Sequence, residues 1–314
     1  MSETSVSFRC MGTTVSLSAD DPQGVERARR FLSEFDRRLS RFRADSELSL
    51  LNADTRPSVP ASALLRAATS AALWAAELTG GLVDPTLLDA LETAGYGRSM
   101  AGAATRSLDT VLESAPARSP AAPDPRAVWR DVMVDDRAGV IRRPRGVRID
   151  LGGIGKGLAA DAAALLLGRK GPFAVDCGGD LRLGTPRSGR PYNVAIVHPL
   201  SGRMARTFPL ANGGVATSGI DRRVWPRADG SYGHHILDPS SGEPVWSGLV
   251  GATAVAPSAL EADARAKAAV LAGARGGRAF LRTHGGVLFH EDGKVERVDL
   301  DRLDSRVLDS SQAA

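Results

Sequence analysis

A mixed α/β or α+β architecture is the fold class this sequence predicts. Three observations predict it. Two long segments of helical period lie in the first third, short strand-like runs recur through the second half, and two more helices fall between those runs. No internal repeat of fixed period is present, so the pattern is not that of a solenoid or propeller.

In chain order, Ser5–Leu17 alternates in part through Val6, Phe8, Cys10, Val15 and Leu17 and predicts an opening strand. Asp20–Ser40 carries Val25, Ala28, Phe31, Leu32, Phe35 and Leu39 at helical spacing, with Asp21-Pro22 as its start. Ala61–Leu78 is a second helix, stopped by Thr79-Gly80-Gly81, and a short third one follows Asp84-Pro85-Thr86. The Pro/Ala-rich connector 114–127 excludes a helix and predicts a mobile surface excursion. Strands follow at Val132–Asp135, Val140–Arg142, Gly146–Leu151, Phe173–Cys177, Asn193–Val197, Gly286–His290 and Val295–Leu300. Helices at Leu158–Leu167 and Leu260–Ala272 interrupt them. The organisation expected is one domain over 1–305 with a frayed tail at 306–314.

Composition narrows the function classes. The chain has 314 residues with 43% hydrophobic content, enough for a substantial core. Its 40 basic and 36 acidic residues are interspersed, and aromatics are only 5%, so a nucleic-acid surface is not expected. Two cysteines, Cys10 and Cys177, make no disulfide framework or metal cluster. Met1-Ser2-Glu3-Thr4-Ser5 has no basic n-region or apolar h-region, and no run reaches 18 apolar residues. The expectation is a cytoplasmic protein without membrane insertion.

The chemistry concentrates in four places. Gly152, Gly153, Gly155 and Gly157 surround Lys156 between a predicted strand and a predicted helix, which suits an anion such as a phosphate. The spacing is not a P-loop, because Gly157 follows the lysine. Gly155–Ala160 does satisfy the loose G-x-G-x-x-A dinucleotide form, with Asp176 where that motif wants an acid. Asp150 adds an acceptor at the strand end. His234-His235 precede Asp238-Pro239, and only one of two neighbours on a strand points into a given site. Asp263 and Lys267, four apart on a helix, read either as a surface ion pair or as a carboxylate facing the phosphate loop. Thr217-Ser218-Gly219 lines a phosphate or makes a turn.

Taken in order, these clusters resemble the ApbE family of FAD:protein FMN transferases. The resemblance runs through Phe8–Thr14, Leu39–Phe42, Asp45–Leu48 with Asn52, Gly80–Thr86, Asp150–Asp161, Asp176–Asp180, Thr217–Gly219, His235–Pro239 with Gly242, and Ala262-Asp263. It implies an ApbE-type flavin-transferase fold rather than a Rossmann sheet. It also implies a reaction in which a Thr or Ser hydroxyl of an acceptor protein attacks the FMN-side phosphorus of FAD and AMP leaves. By position, the resemblance makes His235 the base. It makes Met11, Phe42, Leu82, Val83, Asp84, Asp150, Gly153, Lys156, Thr217, Ser218 and Leu237 contacts of FAD.

The family's Mg²⁺ maps onto the Gly153 carbonyl and Asp263. Lys267 stands where the family has a threonine, and an ammonium cannot coordinate a metal. Either Lys267 fills the metal's place as a point charge, or it points away and waters complete the shell. A substituted or weakened metal site is the expectation. The alternative function is an FAD-binding protein or slow FAD pyrophosphatase that transfers nothing. An NAD(P)-binding oxidoreductase rests on the glycine spacing alone.

Overall fold

In the computed structural model, described for residues 3–100, 108–167, 171–184, 190–227 and 230–300, two layers organise the molecule. The chain opens with a hairpin of β1 (Thr4–Cys10) and β2 (Thr13–Ala19), then α1 (Pro22–Leu39), α2 (Glu47–Ala53), β3 (Ser58–Pro60), α3 (Ala63–Leu78), α4 (Leu88–Thr93) and α5 (Leu108–Glu113). A 3-10 turn, Val128–Asp131, leads to β4 (Met133–Asp135), β5 (Val140–Arg142), α6 (Gly155–Leu167), β6 (Phe173–Cys177) and β7 (Leu181–Leu183). Two hairpins bracket the next strand: β8 (Tyr192–Val197) with β9 (Met204–Leu210), then β10 (Gly213–Gly219), then β11 (Val224–Pro226) with β12 (Tyr232–His234). The last elements are β13 (Leu249–Ala256), α7 (Ala259–Leu271), α8 (Gly273–Leu281), β14 (Gly286–His290) and β15 (Val295–Val298).

The main sheet has eight strands in the order β1-β2-β6-β7-β10-β13-β14-β15, and every pair in it is antiparallel. Helices α1, α6, α7 and α8 lie side by side against it in the same order, and α3 packs behind them. In α1 the buried positions Val25, Ala28, Leu32, Phe35 and Leu39 form the stripe expected of such a helix. Both cysteines are free and buried.

Several expectations are corrected. The opening strand is a hairpin, turned at Met11 (φ 52°) and Gly12 (φ 69°). Residues 146–151 are no strand. The Asn52 amide takes the place of a strand partner: its Nδ2 donates to the Ile149 carbonyl and its Oδ1 accepts from the Ile149 N–H, both at 2.8 Å. Helix α6 starts at Gly155, not Leu158, so Lys156 sits in its first turn. The connector 114–127, expected to be a mobile excursion, is tied down along the body. Ser119 N–H donates to the Trp246 carbonyl, Ala121 N–H to Leu271, and Ala122 N–H to Asp238 Oδ1. Strand β13 was not foreseen because all eight of its residues are buried, which removes the two-residue alternation. An all-antiparallel sheet also lacks the βαβ unit a dinucleotide fold requires. Asp176 spends its carboxylate on the Gly179 N–H at 2.7 Å, turning the chain after β6. The tail 306–314 lies outside the described residues.

Candidate active site

The glycine segment is set in place from two sides. Asp150 N–H donates to the Pro85 carbonyl at 2.8 Å, which lays 150–153 along 82–85. A Cβ at Gly153 would stand 3.6 Å from Val83. Asp150 accepts the Gly152 N–H at 3.1 Å and pairs with Arg41 Nε at 3.0 Å. Burial pushes the Asp150 carboxyl up, opposed by Arg41, the Gly152 N–H, Lys267 and Arg223. Asp84 is likewise pushed up by burial, while its Oδ1 holds the Thr86 N–H and hydroxyl.

Helices α6 and α7 meet at their N-terminal ends. Gly157 makes this possible, since a Cβ there would fall 2.5 Å from the Ala259 carbonyl oxygen. Asp161 accepts the Ala259 and Leu260 N–H groups at 2.9 and 2.8 Å, satisfying donors at the start of α7. The Gly157 N–H in turn donates to Asp263 Oδ2 at 3.4 Å. The Lys156 ammonium does not stand free in a glycine loop: it is paired with Asp180, whose side chain is 1% exposed. Burial pushes the Asp180 carboxyl up to about 6, with Lys156 pulling the other way. For Lys156, burial opposes the charge, but Asp180 and Asp263 outweigh it and hold the ammonium above the ordinary lysine range. On α7, Lys267 donates to the Gly153 carbonyl and to Asp263 Oδ1, the latter at 3.3 Å.

The two histidines separate cleanly. His234 is fully buried: its Nε2 lies 2.9 Å from the Val245 carbonyl, its Nδ1 accepts the Ile236 N–H at 3.3 Å, and its ring meets Trp246 edge-on at 4.7 Å. It is a packing residue. His235 Nδ1 is buried and has no hydrogen-bond partner. Burial, then Arg223, Lys267, His234 and Lys156, push its pKa well below 6.5, so the imidazole is neutral at physiological pH. The β11–β12 register (Val224 opposite His234) sets Arg223 across from His235. Arg223 sits at φ 61°, a strained conformation for this residue type. It makes no hydrogen bond or ion pair with any described residue, yet its charge reaches Tyr96, Asp150, Lys156 and His235.

An aromatic wall borders this cluster. Tyr96 stacks on Trp225 (5.5 Å, 13°) and meets Phe42 and His235 edge-on at 5.5 and 6.3 Å. The Arg41 guanidinium lies 4.2 Å from the Phe42 ring centre and 4.5 Å from that of Tyr96. Leu237 packs in the same group as Tyr96 and Trp225.

The structure thus brings together Phe42, Leu82, Val83, Asp150, Gly153, Lys156, His235, Leu237 and Asp263. Asp84 sits on the same 82–86 segment. Met11 lies at the β1–β2 turn, two residues from Thr13, which lies against Gly178 just before Asp180. Thr217 and Ser218 point to opposite faces of β10. Thr217 is the exposed one, hydrogen-bonded to Thr253 at 2.9 Å. Sequence reasoning missed Arg41, Tyr96, Asp180, Arg223 and Trp225 as site groups, although Arg41 and Asp180 lay inside segments already singled out. A surface cavity of about 550 Å³ beside α3, lined by Leu73, Trp74, Trp129, Val132 and Val134, contains none of these groups.

The buried imidazole of His234 has a measurable consequence. Its pKa is lowered by burial to about 4 from 6.5. Between those values the unfolded chain binds more protons than the folded one, so this residue's contribution to stability falls as pH falls across that window. The loss is about 1.4 kcal/mol per pH unit and levels off below the folded value. Urea unfolding of wild type and His234→Gln at neutral and acidic pH should show the gap between them narrowing with acid.

This arrangement places the protein among α+β proteins of the flavin-transferase fold, distinct from Rossmann proteins. The ApbE protein of Thermotoga maritima superposes with a TM-score of 0.80 at 26% identity, over 97% of this chain and 100% of that one. The flavin transferase ApbE of Vibrio cholerae shares the fold with a TM-score of 0.71 at 24% identity, over 95% and 97%. The sequence model of the ApbE family matches residues 11–289, and the chain belongs to the ApbE family. It is 31% identical over 238 residues to the FAD:protein FMN transferase of Klebsiella pneumoniae. That alignment covers 73% of this chain and 65% of the relative's length.

Proposed function

We propose that this protein transfers the FMN half of FAD to a Thr or Ser hydroxyl of an acceptor protein and releases AMP. The observation that carries the reading is His235: a neutral imidazole with an unpartnered, buried Nδ1, set among cations of which Lys156 and Lys267 are held by carboxylates and Arg223 is left free among the described residues. The name of the Klebsiella pneumoniae relative supports the same reaction.

The chemistry follows from the charges. Three carboxylates (Asp150, Asp180, Asp263) face four cations (Arg41, Lys156, Arg223, Lys267), leaving one positive charge in excess before an anionic substrate arrives. That excess attracts the two negative charges of a pyrophosphate, with the unpaired Arg223 as its first contact. The isoalloxazine ring lies against Phe42, the exposed member of the aromatic wall, which Tyr96 and the Arg41 guanidinium back. The acceptor oxygen bonds to the FMN-side phosphorus as its proton passes to His235. The anhydride bond breaks, and its bridging oxygen leaves with AMP. Fixed cations suit this step, because they stabilise charge at the phosphate without reorganising.

The test is incubation of the full chain with FAD and the protein acceptor of the Klebsiella relative, followed by mass spectrometry of the intact acceptor. A covalent FMN adduct on a Thr or Ser is the expected product. Free FMN and AMP without adduct identify a pyrophosphatase, and unchanged FAD identifies a binding protein; either result overturns the proposal.

A further inference from the structure

The cation position that the family pattern implies is occupied in this chain by one of its own side chains. Lys267 and Asp263 are four residues apart on α7 and share a face, with side chains 14% and 4% exposed. The ammonium donates at once to the Gly153 carbonyl and to Asp263 Oδ1. Those two oxygens are the ones a magnesium ion would need. Mg²⁺ demands a near-octahedral shell of oxygen ligands at short range, whereas an ammonium offers three donors and no lone pair.

Electrostatics excludes sharing. An ammonium and a metal ion drawn to the same two oxygens repel each other strongly in a partly buried site, and a divalent charge doubles that repulsion. The ion would have to displace the lysine rather than sit beside it. The residues present do not fit the ion.

We propose that Lys267 replaces the divalent cation, so that this protein binds and processes FAD without a metal. The ammonium is held on a helix face between the glycine turn and Asp263, and its field reaches Asp150, Asp180 and His235. It therefore faces the same site as Lys156 and Arg223, where it supplies the charge a metal would supply to a phosphate. The inference rests on the reading of the site as one for FAD, but its first test needs no turnover.

Calorimetric titration of Mg²⁺ into the full chain, with and without FAD, should give no saturable binding into the millimolar range once the heat of Mg²⁺ with FAD alone is subtracted. One-to-one binding in the micromolar range overturns the proposal, whether or not transfer is observed. FAD turnover, read as AMP release, should be the same in EDTA as in Mg²⁺; loss of turnover in EDTA also overturns it. Lys267→Thr reopens both oxygens. It should lose about 100-fold or more of the AMP-release rate in EDTA and recover with Mg²⁺. Lys267→Met removes the charge without adding a ligand oxygen and should recover less. Equal turnover of both variants and wild type in EDTA would show that the ammonium contributes nothing.

Discussion

Replacing His235 with alanine lowers FMN transfer by about 100- to 10,000-fold, the usual worth of a general base, while FAD affinity stays close to wild type. The separation follows from the ligand groups each side chain serves. In the proposed site, substrate charge is met by Arg223 and by Arg41, Lys156 and Lys267, and the last three are held by Asp150, Asp180 and Asp263 rather than by His235. The pH dependence carries a second signature. Because burial and neighbouring cations push the His235 pKa well below 6.5, the imidazole stays unprotonated as pH falls through that value. The wild-type rate should therefore hold level from neutral pH through 6.5, and its acid limb should lie lower. A limb centred at 6.5 or above would contradict this account. His234→Gln, by contrast, should alter stability far more than transfer, since that ring is spent on Val245 and Ile236.

Lys156→Met carries the second large effect, and it acts on folding before chemistry. The substitution leaves the Asp180 carboxylate buried without its partner, which costs about 3–5 kcal/mol when a buried pair is broken from one side. Burial already pushes the Asp180 carboxyl up to about 6, and loss of the ammonium pushes it further. In the variant the folded state then binds a proton that the unfolded chain, with an ordinary aspartate, does not. Its stability should rise as pH falls through the raised folded value, the opposite of the His234 effect. Lys156→Met combined with Asp180→Leu should recover most of the stability, because neither charge is left orphaned. Transfer should remain impaired in the double variant, since a cation of the site is still missing. Urea unfolding at two pH values, with the AMP-release rate alongside, reads both effects.

The helical layer was legible in the sequence because α1 and α3 carry long periodic stripes with distinct stops, such as Leu32 and Phe35 on one face and Gly80-Gly81 after Leu78. The centre of the sheet was not. Strand β10 is glycine-rich and β13 is buried on both faces, so neither shows alternation. The extended run ending at Asp150 misled for a different reason: its alternating residues are real, but the Asn52 amide replaces a neighbouring strand. At the site, residue types and order pointed to Asp150, Lys156, His235 and Asp263, yet pairing was invisible. Only the fold shows that Lys156 belongs to Asp180, 24 positions away, and that Lys267 reaches Gly153, 114 positions away. Tyr96 and Trp225 carried no motif, and the backbone strain at Arg223 leaves no mark in a sequence.

The most direct test of the central claim is a time course that counts AMP released and FMN bound to the acceptor in the same reaction. Transfer through attack on the FMN-side phosphorus predicts one AMP for each phosphoester formed on a Thr or Ser hydroxyl. It also predicts the disappearance of both when that hydroxyl is removed. AMP accumulating in excess of the adduct, or at an undiminished rate without the hydroxyl, would mean that water is the acceptor and would contradict it.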